Sequence, residues 1–219
     1  MSIKNIIVFG AHGKVGQHVI KLAGSRGIVS TAVVRNAAQE NTVAALATLV
    51  KTSQLTLDSA SVKELTSLIK GHEAVVVSVG SRGQNLLQVD LDGVVKLFEA
   101  SVAALVRRLV LVSAIKAEDR DFIDKSLIRN YYIAKHYADR ILQHEFKEKL
   151  DFTIVKPGLL SDNEPTGKIL LVKGEIPEKA DVSRADVAQF ILETLDSKAL
   201  YGKSYDFVNG SDAIKDVLA

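Results

Sequence analysis

Tyr131 and Lys135 stand four apart in the segment NYYIAKHYADRIL, and Ser113 closes the apolar run LVLVS 18 residues earlier. On a helix that spacing puts phenol and ammonium on one face. A phenol titrates at about 10 and a neighbouring ammonium favours its phenolate, so the pair is a candidate for trading a proton with a carbonyl oxygen. Ser113, at the mouth of the adjacent strand, is placed to hydrogen-bond the same oxygen as charge develops on it. Tyr and Lys also stand four apart on many helices as plain surface pairs, so the reading needs a cofactor site nearby.

VFGAHGKVGQ supplies one: Gly10, Gly13 and Gly16 follow an apolar strand directly and open a helix. The first glycine permits a tight turn, the second lets a pyrophosphate approach the backbone, and the third lets helix and strand pack closely. The helix start then offers free amide protons to phosphate. His12, Lys14 and Val15 complete the candidate cradle. Lys14 either adds charge near the phosphates or is a solvated helix-start lysine, and no chemistry is assigned to His12. A plain βα turn also uses glycine, but here the turn sits inside a unit of nucleotide-binding length.

The second strand ends in Arg35 rather than the Asp or Glu that holds a ribose 2′-hydroxyl in NAD sites. A guanidinium binds a 2′-phosphate with charge-assisted bonds, which favours NADP (NADPH). Asp58, at the end of the predicted third strand, either accepts from the adenine amino group or caps the next helix. After the fourth strand, Gly80, Ser81 and Gly83 in SVGSRG let the chain pass close over a cofactor, with Arg82 near the diphosphate or an anionic substrate.

These residues need a sheet to hold them. The chain has 219 residues, 47% hydrophobic, and 28 Lys plus Arg against 26 Asp plus Glu give a net charge of +2. It has no cysteine, which excludes disulfides and thiolate chemistry, and its five histidines lack metal spacing, so no metal is expected. His136 and His144 are read as exposed. No apolar run reaches the length of a membrane span, and 12 aromatics form no stacking stripe for nucleic acid. The expectation is a cytoplasmic monomer or homodimer acting on a small molecule, without nucleic-acid or membrane partners.

Short β-branched runs alternate with helical stripes along the whole chain, as in βαβ units. Seven strands are predicted: Asn5 to Phe9, Ser30 to Arg35, Gln54 to Leu57, Ala74 to Val79, Leu109 to Ser113, Phe152 to Val155 and Tyr205 to Val208, with Ile169 to Val172 as a possible edge piece. Val15, Val19, Leu22 and Ala23 form one sheet-facing stripe, and Leu87, Leu91, Val94 and Val95 another. Ser61 to Glu64 and Ser183 to Asp186 have capping-box spacing. The fold class is α/β: one doubly wound Rossmann domain over residues 1–219, built on a mostly parallel seven-stranded sheet.

In order, GAHGKVG, the strand ending in Arg35, VDLDG, LVSA, YYIAK, KPG and SRADVA resemble the atypical short-chain dehydrogenase/reductases over essentially the whole chain. The likeness is to the small NAD(P)H-binding group near flavin reductase/biliverdin reductase B and the NmrA-like proteins. It implies that the three glycines bind pyrophosphate and Arg35 the 2′-phosphate. It also implies that Ser113, Tyr131 and Lys135 match the catalytic Ser and YxxxK positions, with Pro157 and Gly158 against the nicotinamide. By that reading Tyr131 protonates the product oxygen, while Lys135 lowers the phenol's pKa and holds the ribose.

Two features depart from extended relatives. Asp90 replaces the Asn of an NVxG motif, which alters any relay built on that amide, and only about sixty residues follow KPG, too few for a large sugar-nucleotide pocket. Arg184 and Asp186 are read as structural. The stretch between Ser113 and Tyr131 is either a lid over the site or a solvated loop, with the lid preferred. Hydride transfer to a small carbonyl-type acceptor is the leading function. Its rivals are a flavin or quinone-type reductase that dispenses with Tyr131, and a non-catalytic NADP(H)-binding regulator, with an epimerase ranked below them.

Overall fold

Strands apolar on consecutive residues must be covered on both faces, and the computed structural model, which describes residues 2–218, shows how. The elements are β1 (Asn5–Phe9), α1 (Lys14–Ser25), β2 (Val29–Val34), α2 (Ala37–Ala44), β3 (Val50–Gln54), α3 (Val62–Ile69) and β4 (Ala74–Val77). A π-helical stretch (Leu86–Gly93) runs into α4 (Val94–Ala103), followed by β5 (Arg108–Val112), α5 (Arg120–Lys125) and α6 (Arg129–Glu145). The chain continues with β6 (Asp151–Pro157), β7 (Leu159–Ser161), β8 (Lys168–Leu171), β9 (Asp181–Ser183) and α7 (Arg184–Thr194). It closes with β10 (Lys203–Asn209), β11 (Asp212–Ala213) and α8 (Ile214–Val217).

The sheet has nine strands rather than seven, in the order β11-β8-β10-β6-β5-β4-β1-β2-β3. The seven from β3 to β10 are parallel throughout and correspond to the seven read from sequence. Of the additional two, β8 runs antiparallel to β10 and matches the expected extra strand, and β11 pairs antiparallel outside it, so that β11 rather than β8 forms the edge. A separate pair, β7 with β9, went unforeseen because each is only three residues long.

The third strand lies at Val50–Gln54, ahead of the predicted Gln54 to Leu57. Its residues VKTSQ are mostly polar, as suits a strand at the sheet's edge, whereas Leu55 and Leu57 pack under α3 and α4 from the connection that follows.

Alternation along β1 divides the core. Ile6 and Val8 face the layer of α1 and α7, while Ile7 and Phe9 face α3, α4 and α6. The α1 stripe packs as expected, with Val15, Val19 and Ala23 buried. The second stripe does so in part: Val94 is buried and Leu91 and Val95 pack against the core, but residues 86–93 wind as a π-helix in which Leu87 is 66% exposed and Asp90 is fully buried. Ser61 and Glu64 form the predicted reciprocal cap of α3. No helix among the described residues is long and apolar enough to cross a membrane.

Candidate active site

The strand order reverses at β1, which has β2 on one side and β4 on the other, and in such sheets ligands settle beyond the strand ends at that point. Gly10 turns the chain out of β1 at φ +80, with Ser78 O only 2.2 Å from where a Cβ would stand. A Cβ on Gly16 would lie 2.3 Å from Gly10 O, so helix and turn touch backbone to backbone. Gly13 caps α1 without any side-chain cap bond and is exposed, which leaves first-turn amides open to an anion. This bare, positively polarised cradle fits a dinucleotide pyrophosphate.

The other cradle residues have mixed roles. Val15 is buried in the core and His12 is half-buried, its carbonyl accepting from Gln17 Nε2 at 2.7 Å. Lys14 is neither free nor simply solvated: it pairs with Asp162, which also takes Arg184 Nη1 at 2.6 Å. Arg35 is exposed just past β2 and makes no ion pair among the described residues, while its backbone N–H donates to Gln39 Oε1. Asp58 lies four residues past β3 and is exposed, with Asn85 Nδ2 at 3.5 Å. The cap of α3 is Ser61, which removes the capping role for Asp58.

The exit of β4 joins the cradle to the candidate chemistry. Lys135, 3% exposed, donates from Nζ to Val79 O at 3.0 Å and lies 4.0 Å from Asp90 Oδ1. Ser81 N–H donates to Asp90 Oδ2 at 3.0 Å, and Ser81 Oγ accepts from Asn85 N–H, so Ser81 holds the turn into the π-helix. Asp90 Oδ1 has no hydrogen-bond partner among the described residues. At Gly80 a Cβ would meet only Asp90 Oδ1, at an ordinary 3.8 Å.

Tyr131 and Lys135 share a face of α6, the ammonium 5.6 Å from the phenol's ring centroid. The expected lowering of the phenol's pKa does not occur. Burial, then the Asp90 and Asp139 carboxylates, push it well above its ordinary value. Desolvation lowers the Lys135 ammonium, opposed by Asp90 and Asp139. Asp90 thus pushes the phenol in the direction opposite to the one expected of Lys135.

Ser113 follows β5, is buried, and donates from Oγ to Asp139 Oδ2 at 2.7 Å. Asp139 lies within a group that sequence reasoning missed: Lys156 Nζ is 3.9 Å away and itself bonds Glu118 Oε2 at 2.5 Å. Helical position alone gives Asp139 no mark of burial. The only hint for Lys156 was a lysine inside an otherwise apolar strand.

The segment between Ser113 and Tyr131 is folded at its start. Ala114, Ile115 and Ala117 are buried, Lys116 N–H donates to Asp206 Oδ1 at 2.7 Å, and Ala117 O meets His136 Nδ1 at 2.8 Å. His136 is therefore buried, contrary to expectation, whereas His144 is exposed. The far end differs, with Leu127 fully exposed and Ile128 57% exposed. Pro157 ends β6, and Gly158 is glycine because a Cβ would stand 2.1 Å from Ala180 O. Asp186 is fully buried, accepting from Thr166 N–H, Gly167 N–H and Ser183 Oγ, a structural clamp. Among the described residues, no group of three His, Asp or Glu is arranged to hold a metal.

Comparison with known proteins identifies the family. The family model described as NAD(P)H-binding matches residues 10–198. The UPF0659 protein YMR090W of Saccharomyces cerevisiae is 40% identical, over 98% of this chain and 97% of its own. The uncharacterized sugar epimerase YhfK of Bacillus subtilis is 32% identical, over 97% and 98%. Among solved structures, the oxidoreductase ylbE of Lactococcus lactis superposes with a TM-score of 0.87 at 31% identity, over 98% and 94%.

Proposed function

The chain belongs to the NAD(P)H-binding family, and from that premise we propose that it is an NADPH-dependent reductase acting on a carbonyl-type group of a small organic acceptor. One observation supports this above the others. Two consecutive residues leaving β4 tie the two halves of the site together: Ser78 O backs the Gly10 turn and Val79 O receives the Lys135 ammonium. A dinucleotide held by that turn would share one backbone segment with Lys135 of α6.

Arg35 supports the choice of NADPH, as its exposed guanidinium makes no ion pair among the described residues and follows β2, where the adenosine ribose is expected. Bound there, the reduced cofactor supplies the hydride. Gly10, Gly13 and Gly16 would seat its pyrophosphate, with the first-turn amides facing the charge and Lys14 beside them, paired with Asp162. Lys135 has three donor hydrogens and one is fixed on Val79 O, leaving others for a ribose hydroxyl. Tyr131, held protonated by burial and two carboxylates, serves as a neutral hydrogen-bond donor to the acceptor's oxygen rather than as a phenolate.

The decisive experiment is titration of NADPH and NADH against the protein and its Arg35→Asp variant. The expected preference for NADPH is about 10- to 100-fold, the worth of a charge-assisted hydrogen bond, and it is lost in the variant. Equal affinities before and after the change overturn the reading. A second reading, reduction of a flavin or quinone with a solvent proton, is favoured by the commitment of the Ser113 hydroxyl to Asp139. Retention of turnover in Tyr131→Phe would support it.

A further inference from the structure

Asp139 stands eight residues beyond Tyr131 on α6 and is 4% exposed, a carboxyl group that the mechanism above leaves without a task. Its Oδ2 accepts the Ser113 hydroxyl at 2.7 Å, and its Oδ1 has no hydrogen-bond partner among the described residues. From β6, Lys156 Nζ approaches to 3.9 Å; Lys135 acts on it along α6, and Glu118 from the segment after β5. Asp206 on β10 acts in turn on the Lys156 side of this group.

A hydroxyl has a single hydrogen to donate. While Asp139 is ionised it only accepts, so the Ser113 hydrogen is committed to it and Ser113 presents only lone pairs to a ligand. A protonated Asp139 reverses the bond. Its own O–H donates to Ser113 Oγ, and the serine hydrogen becomes free to point at a ligand oxygen.

We propose that Asp139 is a positioning residue acting through Ser113: its carboxyl holds the proton that replaces the one Ser113 hands to the acceptor's oxygen. The proposal rests on the reductase reading above. Hydride from the reduced dinucleotide forms a C–H bond at the acceptor's carbonyl carbon, and the carbonyl π pair moves to oxygen. That oxygen takes the Ser113 proton and Ser113 takes the Asp139 proton. The dinucleotide is oxidised, the carbonyl becomes an alcohol, and the new carboxylate is left beside Lys156 until solvent reprotonates it. Burial supports the arrangement by pushing the carboxyl up to about 7, against the pull of Lys156, the Ser113 hydrogen bond and Lys135, while Glu118 pushes with it.

The test uses the whole chain loaded with cofactor. In the NADP+ complex, the side-chain carboxyl of Asp139, followed by carbon NMR and assigned with Asp139→Asn, titrates near neutrality, and Ser113→Ala moves its midpoint upward. A carboxyl ionised throughout the acidic range overturns the proposal. In single turnovers of the NADPH complex with phenanthrenequinone as probe, the rate falls about tenfold per pH unit above that midpoint. Asp139→Asn removes the pH dependence and Asp139→Glu restores it. Turnover with an unchanged profile in Asp139→Asn overturns this proposal alone, whereas absence of NADPH oxidation in every variant overturns it together with the reductase reading.

Discussion

The carbonyl oxygen of Ser78 lies where the side chain of Gly10 would begin, 2.2 Å from an ideal Cβ. Gly10 also has φ +80, a conformation that costs any other residue strain. Both effects fall on backbone that cannot move without shifting β1 against β4. Gly10→Ala is therefore expected to destabilise the fold by about 2–5 kcal/mol, measured as a lowered urea midpoint. Gly13→Ala, with φ −62 and a nearest contact at 3.1 Å, keeps the midpoint nearly unchanged while weakening dinucleotide binding. A normal midpoint for Gly10→Ala would contradict the close approach.

Lys135 and Asp90 are a buried pair at 4.0 Å, with relative side-chain exposures of 3% and 0%. Removing one partner leaves the other charge uncompensated in the interior. Lys135→Met is expected to cost about 3–5 kcal/mol, and adding Asp90→Asn to recover at least about 1 kcal/mol of it. Chemical denaturation of the two single variants and the double variant measures that coupling. Strict additivity would mean that the carboxylate and ammonium do not act on each other.

These two sites differ in how readily the sequence reveals them. The glycine turn was legible because each of its glycines answers a local geometric demand, φ at Gly10 and close packing at Gly16, and local demands leave marks at fixed spacing. The environment of Lys135 was not, because it depends on a π-helix whose residues LLQVDLDG carry the same apolar spacing as an ordinary helix. Only the wider winding brings Asp90 inside. Likewise Asp139, Lys156 and His136 look like surface residues until tertiary contacts close over them, and β3 at the sheet edge lacks the apolar run that marked its neighbours.

Asp162 bridges Lys14 on the glycine turn and Arg184 at the start of α7. All three side chains are solvent-accessible, so the bridge adds little to stability. Its larger effect is to hold Lys14 away from an incoming anion. Asp162→Asn should leave the thermal midpoint nearly unchanged and tighten NADPH binding by up to about fivefold at low salt. The gain should shrink as salt rises. Weaker binding in the variant would show that Asp162 orients Lys14 toward the phosphates instead.

Asp139 also makes fold stability depend on pH in a direction opposite to that of a surface carboxylate. Its carboxyl titrates at about 7 in the folded chain against an ordinary 3.8, the cause being burial first. Between those values the folded state binds the proton that the unfolded state has released, so stability falls as pH rises. The contribution is whole below 3.8 and gone above about 7. Asp139→Asn keeps a neutral side chain throughout and lacks this slope. The difference in unfolding free energy, wild type minus Asp139→Asn, should decline steadily from pH 4 to about pH 7 and then level off. Taking the difference cancels groups common to both proteins, including Asp206, whose carboxyl is also raised by burial. A difference that stays level over that window, with any rise confined below about pH 4, would mean that Lys156 and Lys135 hold Asp139 ionised, outweighing its loss of solvent.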